Sequence, residues 1–163
     1  MYHTHNMDSD GSVVKVQNTH NLEKLGSALL DILSVLNSPQ RDLALLREAN
    51  VEIDRALFPL LVATGARGPL AVGDLADLVG RDHTTVSRQL AKLRQLKLIV
   101  SHAEQDRRRN AVKLTGEGEK IVRKISGARR RLLSRALADW SATDRATLAI
   151  LTRRFADTLL AKG

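Results

Sequence analysis

Between Gly73 and Leu93 the chain reads GDLADLVGRDHTTVSRQLAKL, and no other stretch restricts the possible folds as strongly. Gly80 separates two runs with helical spacing, one placing Leu75, Ala76 and Val79 on a single face and the other Val86, Leu90 and Leu93. Two helices that cross closely need a small residue at the contact, a turn free to take an unusual backbone conformation, and an apolar anchor beyond it. Ala76, Gly80 and Val86 supply these in order. The spacing predicts a helix-turn-helix whose first helix covers about Gly73 to Val79 and whose second is capped by Asp82 and runs to about Leu96. Arg81 departs from the pattern, standing where many such turns carry an apolar residue.

With Val86, Leu90 and Leu93 turned inward, the second helix presents Thr84, Arg88, Ala91 and Gln95 on the opposite side, with Thr85, Ser87 and Lys92 on the flanks. Small hydroxyls and an arginine at the start of such a helix suit a major groove. There a guanidinium pairs with guanine, and hydroxyls contact bases or phosphates. Thr84, Thr85, Ser87, Arg88 and Lys92 are therefore candidate DNA contacts. Beyond the helix, LIVSHA and NAVKLT are β-prone runs, with Leu98 and Val100 alternating on one and Val112 and Leu114 on the other. The hydrophilic segment EQDRRR between them predicts a hairpin wing with Arg107, Arg108 and Arg109 at its tip, where a narrow minor groove attracts cations. Asp106 would repel DNA unless it holds one of these arginines in position.

Charge follows the same segment. The chain has a formal net charge of +8, and residues 81–131 hold 15 Lys and Arg against 5 Asp and Glu, leaving 11 against 13 elsewhere. A polyanion-binding surface needs such a block, because neutralising phosphates releases condensed counterions. A solvated basic face would carry the same charge, and a nucleoid-like or RNA-binding protein would use it without sequence preference. A recognition helix joined to a basic wing favours specific duplex DNA over both.

The remaining chain supplies a helical frame. Only 2% of residues are aromatic, so the core of this 163-residue chain must come from Leu, Val, Ile and Ala, which suits interlocking helices. Residues 1–18 lack any period and are expected to be a disordered leader. Asn21 can cap a helix carrying Leu22, Leu25, Leu29, Ile32, Leu33 and Leu36; Ser38 and Pro39 open a second that ends near Ala49; Asp54 is expected to start the next, with Pro59 early in it. In the C-terminal third, Ile121, Ile125, Ala128, Leu132 and Ala136 mark a long helix. Ser141 with Asp144 reads as a capping box before Leu148, Leu151, Phe155 and Leu159. Amphipathic helices outside the DNA-reading unit need a partner surface. Two-fold pairing provides one, and a monomer folding them back on itself is the alternative. The fold class is thus mainly α with a small β-wing: a leader over 1–18, a dimerisation helix over 19–37, a winged helix-turn-helix domain over 38–116, and C-terminal dimerisation helices over 117–163.

Enzyme chemistry finds no footing. The absence of cysteine removes disulfides, thiolate catalysis and thiol redox sensing. His3, His5, His20, His83 and His102 lack partners at metal or triad spacing, and TGEGEK lacks the ending a phosphate-cradling loop needs, so neither metal nor cofactor is expected. The longest nearly apolar run, Ala56 to Ala63, is too short to cross a bilayer and the N-terminus lacks an export pattern, so a cytoplasmic protein is expected.

The ordered combination of GDLADLVG, DHTTVSRQLAKL and DRRRNAVKLT before a long helix resembles the MarR family of multiple antibiotic resistance regulators, over about residues 22–160. In that family a DRR wing motif precedes a short strand ending Leu-Thr; Asp106, Arg107, Arg108, Leu114 and Thr115 occupy those places here. The resemblance implies a homodimer formed by the first and last helices, and a repressor whose two winged domains read a pseudopalindrome. It also implies a small-molecule cleft between the dimer helices and the winged domain. Arg55 and Phe58 lie near that cleft in sequence, and an aromatic or amphipathic anion would suit it. One departure is Lys97, which stands where the family usually has glycine between recognition helix and wing.

Overall fold

The computed structural model describes residues 9–102 and 111–161, with side chains over 19–101 and 111–161. In chain order the elements are α1 (Ser9–Leu36), α2 (Pro39–Ala49), α3 (Phe58–Arg67), β1 (Leu70–Ala71), α4 (Val72–Val79), α5 (His83–Gln95), β2 (Ile99–His102), β3 (Ala111–Leu114), α6 (Gly116–Ala136) and α7 (Ala142–Leu160). Among the described residues, seven helices and one small antiparallel sheet of order β1-β3-β2 match the expected mainly α class with a β-wing. Contacts divide the chain into two units, residues 1–44 and residues 45–163. No described helix is long and apolar enough to cross a membrane.

In the first unit, α1 begins at Ser9, ahead of the boundary at residue 19 drawn from periodicity. Nothing between Ser9 and Asn21 stops a helix: there is no proline, and Gly11 is the single glycine. Ser38 and Pro39 open α2 as expected, with the Arg41 amide donating to the Ser38 hydroxyl at 3.3 Å.

In the second unit, α3 starts later than expected, at Phe58. Asp54 closes a turn instead of capping a helix: its carboxylate accepts the Ala56 amide at 2.8 Å and its carbonyl the Leu57 amide at 2.8 Å. Pro59 has no amide hydrogen to donate, so it fits only the first turn and helps set the start of α3. One core cluster joins Leu57, Leu60 and Leu61 of this region to Leu75, Val86, Leu90, Leu93, Ile99 and Val112. A second joins Leu46 and Ala49 of α2 and Phe58 to Ile125 and Ala128 of α6.

The wing sheet corrects one reading. Ile99 pairs with Leu114 and Ser101 with Val112, and it is Ile99 that is buried while Val100 is 42% exposed. Leu98 points inward because it still belongs to the cap that ends α5, so the strand alternation begins one residue later than Leu98 and Val100 suggested. The two-residue β1, pairing Leu70 with Val112 and Ala71 with Ala111, is too short to leave a periodic trace in sequence.

Candidate nucleic-acid interface

Three helix ends share one solution. A residue just past α2, α4 and α5 takes positive φ (Asn50 +49°, Gly80 +63°, Lys97 +58°), and its amide and the one after it fold back onto the last turn. At Gly80 the bonds run from Gly80 to Asp77 at 3.2 Å and from Arg81 to Ala76 at 3.0 Å; at Lys97 they run from Lys97 to Arg94 at 2.9 Å and from Leu98 to Leu93 at 3.0 Å. This double cap satisfies carbonyls that a helix end otherwise leaves bare. It also answers the Lys97 departure: lysine here adopts the left-handed conformation that glycine would take.

The cap at Gly80 delivers the chain into α5, where the Asp82 carboxylate accepts the Thr85 amide at 2.8 Å. The hydrogen bond from the Thr85 side chain, then that from its amide, holds the Asp82 carboxyl below the usual carboxylate range. Val86, Leu90 and Leu93 are wholly buried, so the opposite face is fixed: Thr84, Arg88, Ala91, Lys92 and Gln95 are exposed. Among these, Thr84, Arg88 and Lys92 follow one another at intervals of four along a single line, and their side chains have no partner among the described residues. Thr85 and Ser87 are half-buried and already engaged, Thr85 in the cap and Ser87 with its hydroxyl 3.5 Å from His83 Nδ1. Among the described residues, the five helix positions thus divide into three side chains without a partner and two that also serve the helix start. Asp106, Arg107, Arg108 and Arg109 lie outside the described residues.

Thr115, part of the Leu-Thr strand ending, joins the end of α5 to α6. Its hydroxyl donates to the Lys97 carbonyl at 2.8 Å and accepts the Gly118 amide at 3.1 Å, while its own amide donates to Leu98 at 3.0 Å. Gly118 has no room for a β-carbon, which would meet the Leu98 carbonyl oxygen. Within the same unit, Glu48 of α2 accepts from Arg131 and Arg135 of α6 at 2.6 Å each. The Arg135 and Arg131 hydrogen bonds pull the Glu48 carboxyl down from 4.5 to about 2. Sequence reasoning missed this link, since its members are 83 and 87 residues apart and each looks like a surface charge.

The two residues assigned to a ligand cleft have different settings. Phe58 is 6% exposed within the α2–α6 cluster, and Arg55 is exposed in the turn before α3. A cavity of about 420 Å³ at the base of the wing is lined by Thr64, Pro69, Lys113, Leu114, Val122 and Arg123 among others. Another of about 580 Å³ lies at the turn from α6 to α7 beside Trp140, Leu148 and Leu151. Neither is lined by Arg55 or Phe58.

Residues 53–109, which span the α3 turn, the helix-turn-helix and the start of the wing, match the model of the MarR family. No curated protein matches the sequence. Among solved structures, a MarR family protein from Bacillus stearothermophilus superposes with a TM-score of 0.68 at 21% identity, covering 88% of this chain and 96% of that one. Staphylococcus aureus MarR in complex with salicylate and kanamycin does so with a TM-score of 0.62 at 15% identity, covering 88% and 97%. MepR, a transcription regulator of the Staphylococcus aureus multidrug efflux pump MepA, gives 0.59 at 21%, covering 82% and 97%. These likenesses extend the shared fold well beyond the segment that the family model matches. Over the helix-turn-helix the chain is thus similar to the MarR family, and it shares the fold of solved MarR family proteins over most of its length.

Proposed function

We propose that the protein is a cytoplasmic regulator of transcription, without catalytic role, that binds a pseudopalindromic duplex DNA as a homodimer and represses the genes beside it. The observation that carries the reading is the exposed line of Thr84, Arg88 and Lys92, without a partner among the described residues, on a helix whose other face is buried in the core. An arginine in that place can make the bidentate contact to guanine that discriminates bases. The wing arginines Arg107, Arg108 and Arg109 add phosphate and minor-groove contacts, with Asp106 positioning one of them. The apolar stripes of α1 and α7 supply the two-fold interface, and the likeness to a protein solved with salicylate supports an aromatic or amphipathic anion as effector, with Arg55 as its counter-charge.

Selection from a random duplex pool by the purified protein tests this. The expected outcome is a site of two related half-sites, bound with an affinity that falls by orders of magnitude between about 50 and about 200 mM salt. Arg88→Ala should cost about 1–3 kcal/mol and relax one base step per half-site, whereas Arg108→Ala should weaken all duplexes evenly and lower the salt slope. Equal affinity for every duplex at physiological salt would favour the nucleoid-like alternative. Release of the selected duplex by salicylate tests the effector.

A further inference from the structure

Arg81 fills the one place in the helix-turn-helix where the residue type departs from the usual apolar choice, and its side chain is half-buried. A single nitrogen, Nη1, donates to the carbonyl of Ala56 at 2.7 Å and to Gln89 Oε1 at 2.9 Å. Ala56 lies in the turn that Asp54 closes before α3; Gln89 is on α5, next in sequence to Arg88. The guanidinium therefore spans 25 residues of chain to tie the reading helix to a fixed turn. The apolar anchors of α5 do not by themselves define its rotation. Val86, Leu90 and Leu93 are held by non-directional burial, which tolerates small turns of the helix about its axis. Hydrogen bonds weaken steeply as their angles degrade, and a charged planar donor strengthens them, so the Arg81 contacts resist the motion that the apolar contacts allow.

We propose that Arg81 is a positioning residue for DNA recognition: by bridging Gln89 to the Ala56 carbonyl it sets the rotation of α5, and with it the direction in which Thr84, Arg88 and Lys92 point. The inference rests on α5 being the helix that reads DNA. Both acceptors are uncharged, so the bridge leaves the positive charge of Arg81 uncancelled, and its effect on recognition has to be separated from simple attraction to phosphate.

The experiment compares the wild-type protein with Arg81→Met, Gln89→Met, the double variant and Arg81→Lys, on the duplex that the wild type selects and on a shuffled duplex. Arg81→Met is expected to lower affinity for the selected duplex by about 10-fold, the scale of one hydrogen bond to a charged group, with little change on the shuffled one. Gln89→Met, which alters no charge, should show part of that loss; the double variant should be no worse than Arg81→Met, and Arg81→Lys should recover only part of the affinity because its head lacks the planar fork. Amide hydrogen exchange of the free proteins should rise in α5 and in residues 54–57 together for Arg81→Met, with α7 unchanged. Equal losses on both duplexes would assign Arg81 to phosphate attraction and overturn the proposal, as would unchanged selectivity in both single variants. If the wild type selects no duplex, the reading of α5 fails separately, and exchange unchanged in α5 and 54–57 would then overturn the bridge as well. Should Arg81→Met fail to fold, Gln89→Met carries the same comparison.

Discussion

Lys97 ends α5 with φ at +58°, a conformation that costs an ordinary side chain about 1–2 kcal/mol. It persists because its surroundings over-determine it: its amide and that of Leu98 reach back to α5, and its carbonyl accepts the Thr115 hydroxyl. Lys97→Gly should therefore raise stability by about 0.5–1 kcal/mol, the relief of strain less the entropy that glycine loses on folding. Urea denaturation at fixed protein concentration checks this, and a loss of stability would mean that the lysine side chain itself contributes. Gly118 is the opposite case, since its backbone is ordinary helix and the constraint is space against the Leu98 carbonyl.

The elements are joined by contacts of unequal visibility. Glu48 ties α2 to α6 through Arg135 and Arg131, and with its carboxyl lowered from 4.5 to about 2 the link is at full strength above about pH 4.5 and is lost as pH falls towards 2. Replacing Glu48 by Gln should lower stability modestly at neutral pH and flatten its fall in acid, so that the two proteins converge as pH drops towards 2; titrated melting curves of both check it. Nothing in the sequence points to this bond, because ion pairs between distant segments obey no local period. The crossing of α4 and α5 was legible for the converse reason: Ala76, Gly80, Asp82 and Val86 act within ten residues of one another, through sterics and capping that depend on spacing alone. The start of α3 and the inward face of β2 were misread where a turn or cap borrowed residues that a periodic pattern would give to the element itself, Asp54 in one case and Leu98 in the other. Arg81 looked like a flaw in the motif until its partners 25 and 8 residues away were seen.

At the scale of the molecule, α7 contains no buried residue, yet it carries Leu148, Ile150, Leu151, Phe155, Leu159 and Leu160. On α1, Leu22, Leu25, Leu30, Ile32, Leu33 and Leu36 are likewise exposed. Apolar surface of that extent is costly to leave in water, and a second copy would cover it. Sedimentation should find a dimer, and removal of the chain from Ala142 onward should give an aggregating product that no longer binds the selected duplex; a well-behaved monomer in either form would overturn the two-fold assembly. The 21 residues of α6 give it a length of about 31 Å, and Thr115 stands at its first turn like the pin of a lever. Were α6 to swing about that pin, a displacement of about 3 Å at its α7 end would turn it by about 6°, which at the Lys97 carbonyl, one hydrogen bond away, would amount to about 0.3 Å. Such gearing would run downward towards α5: jostling at the distant end would be attenuated before it reached that helix, and only a large, sustained swing would be felt there.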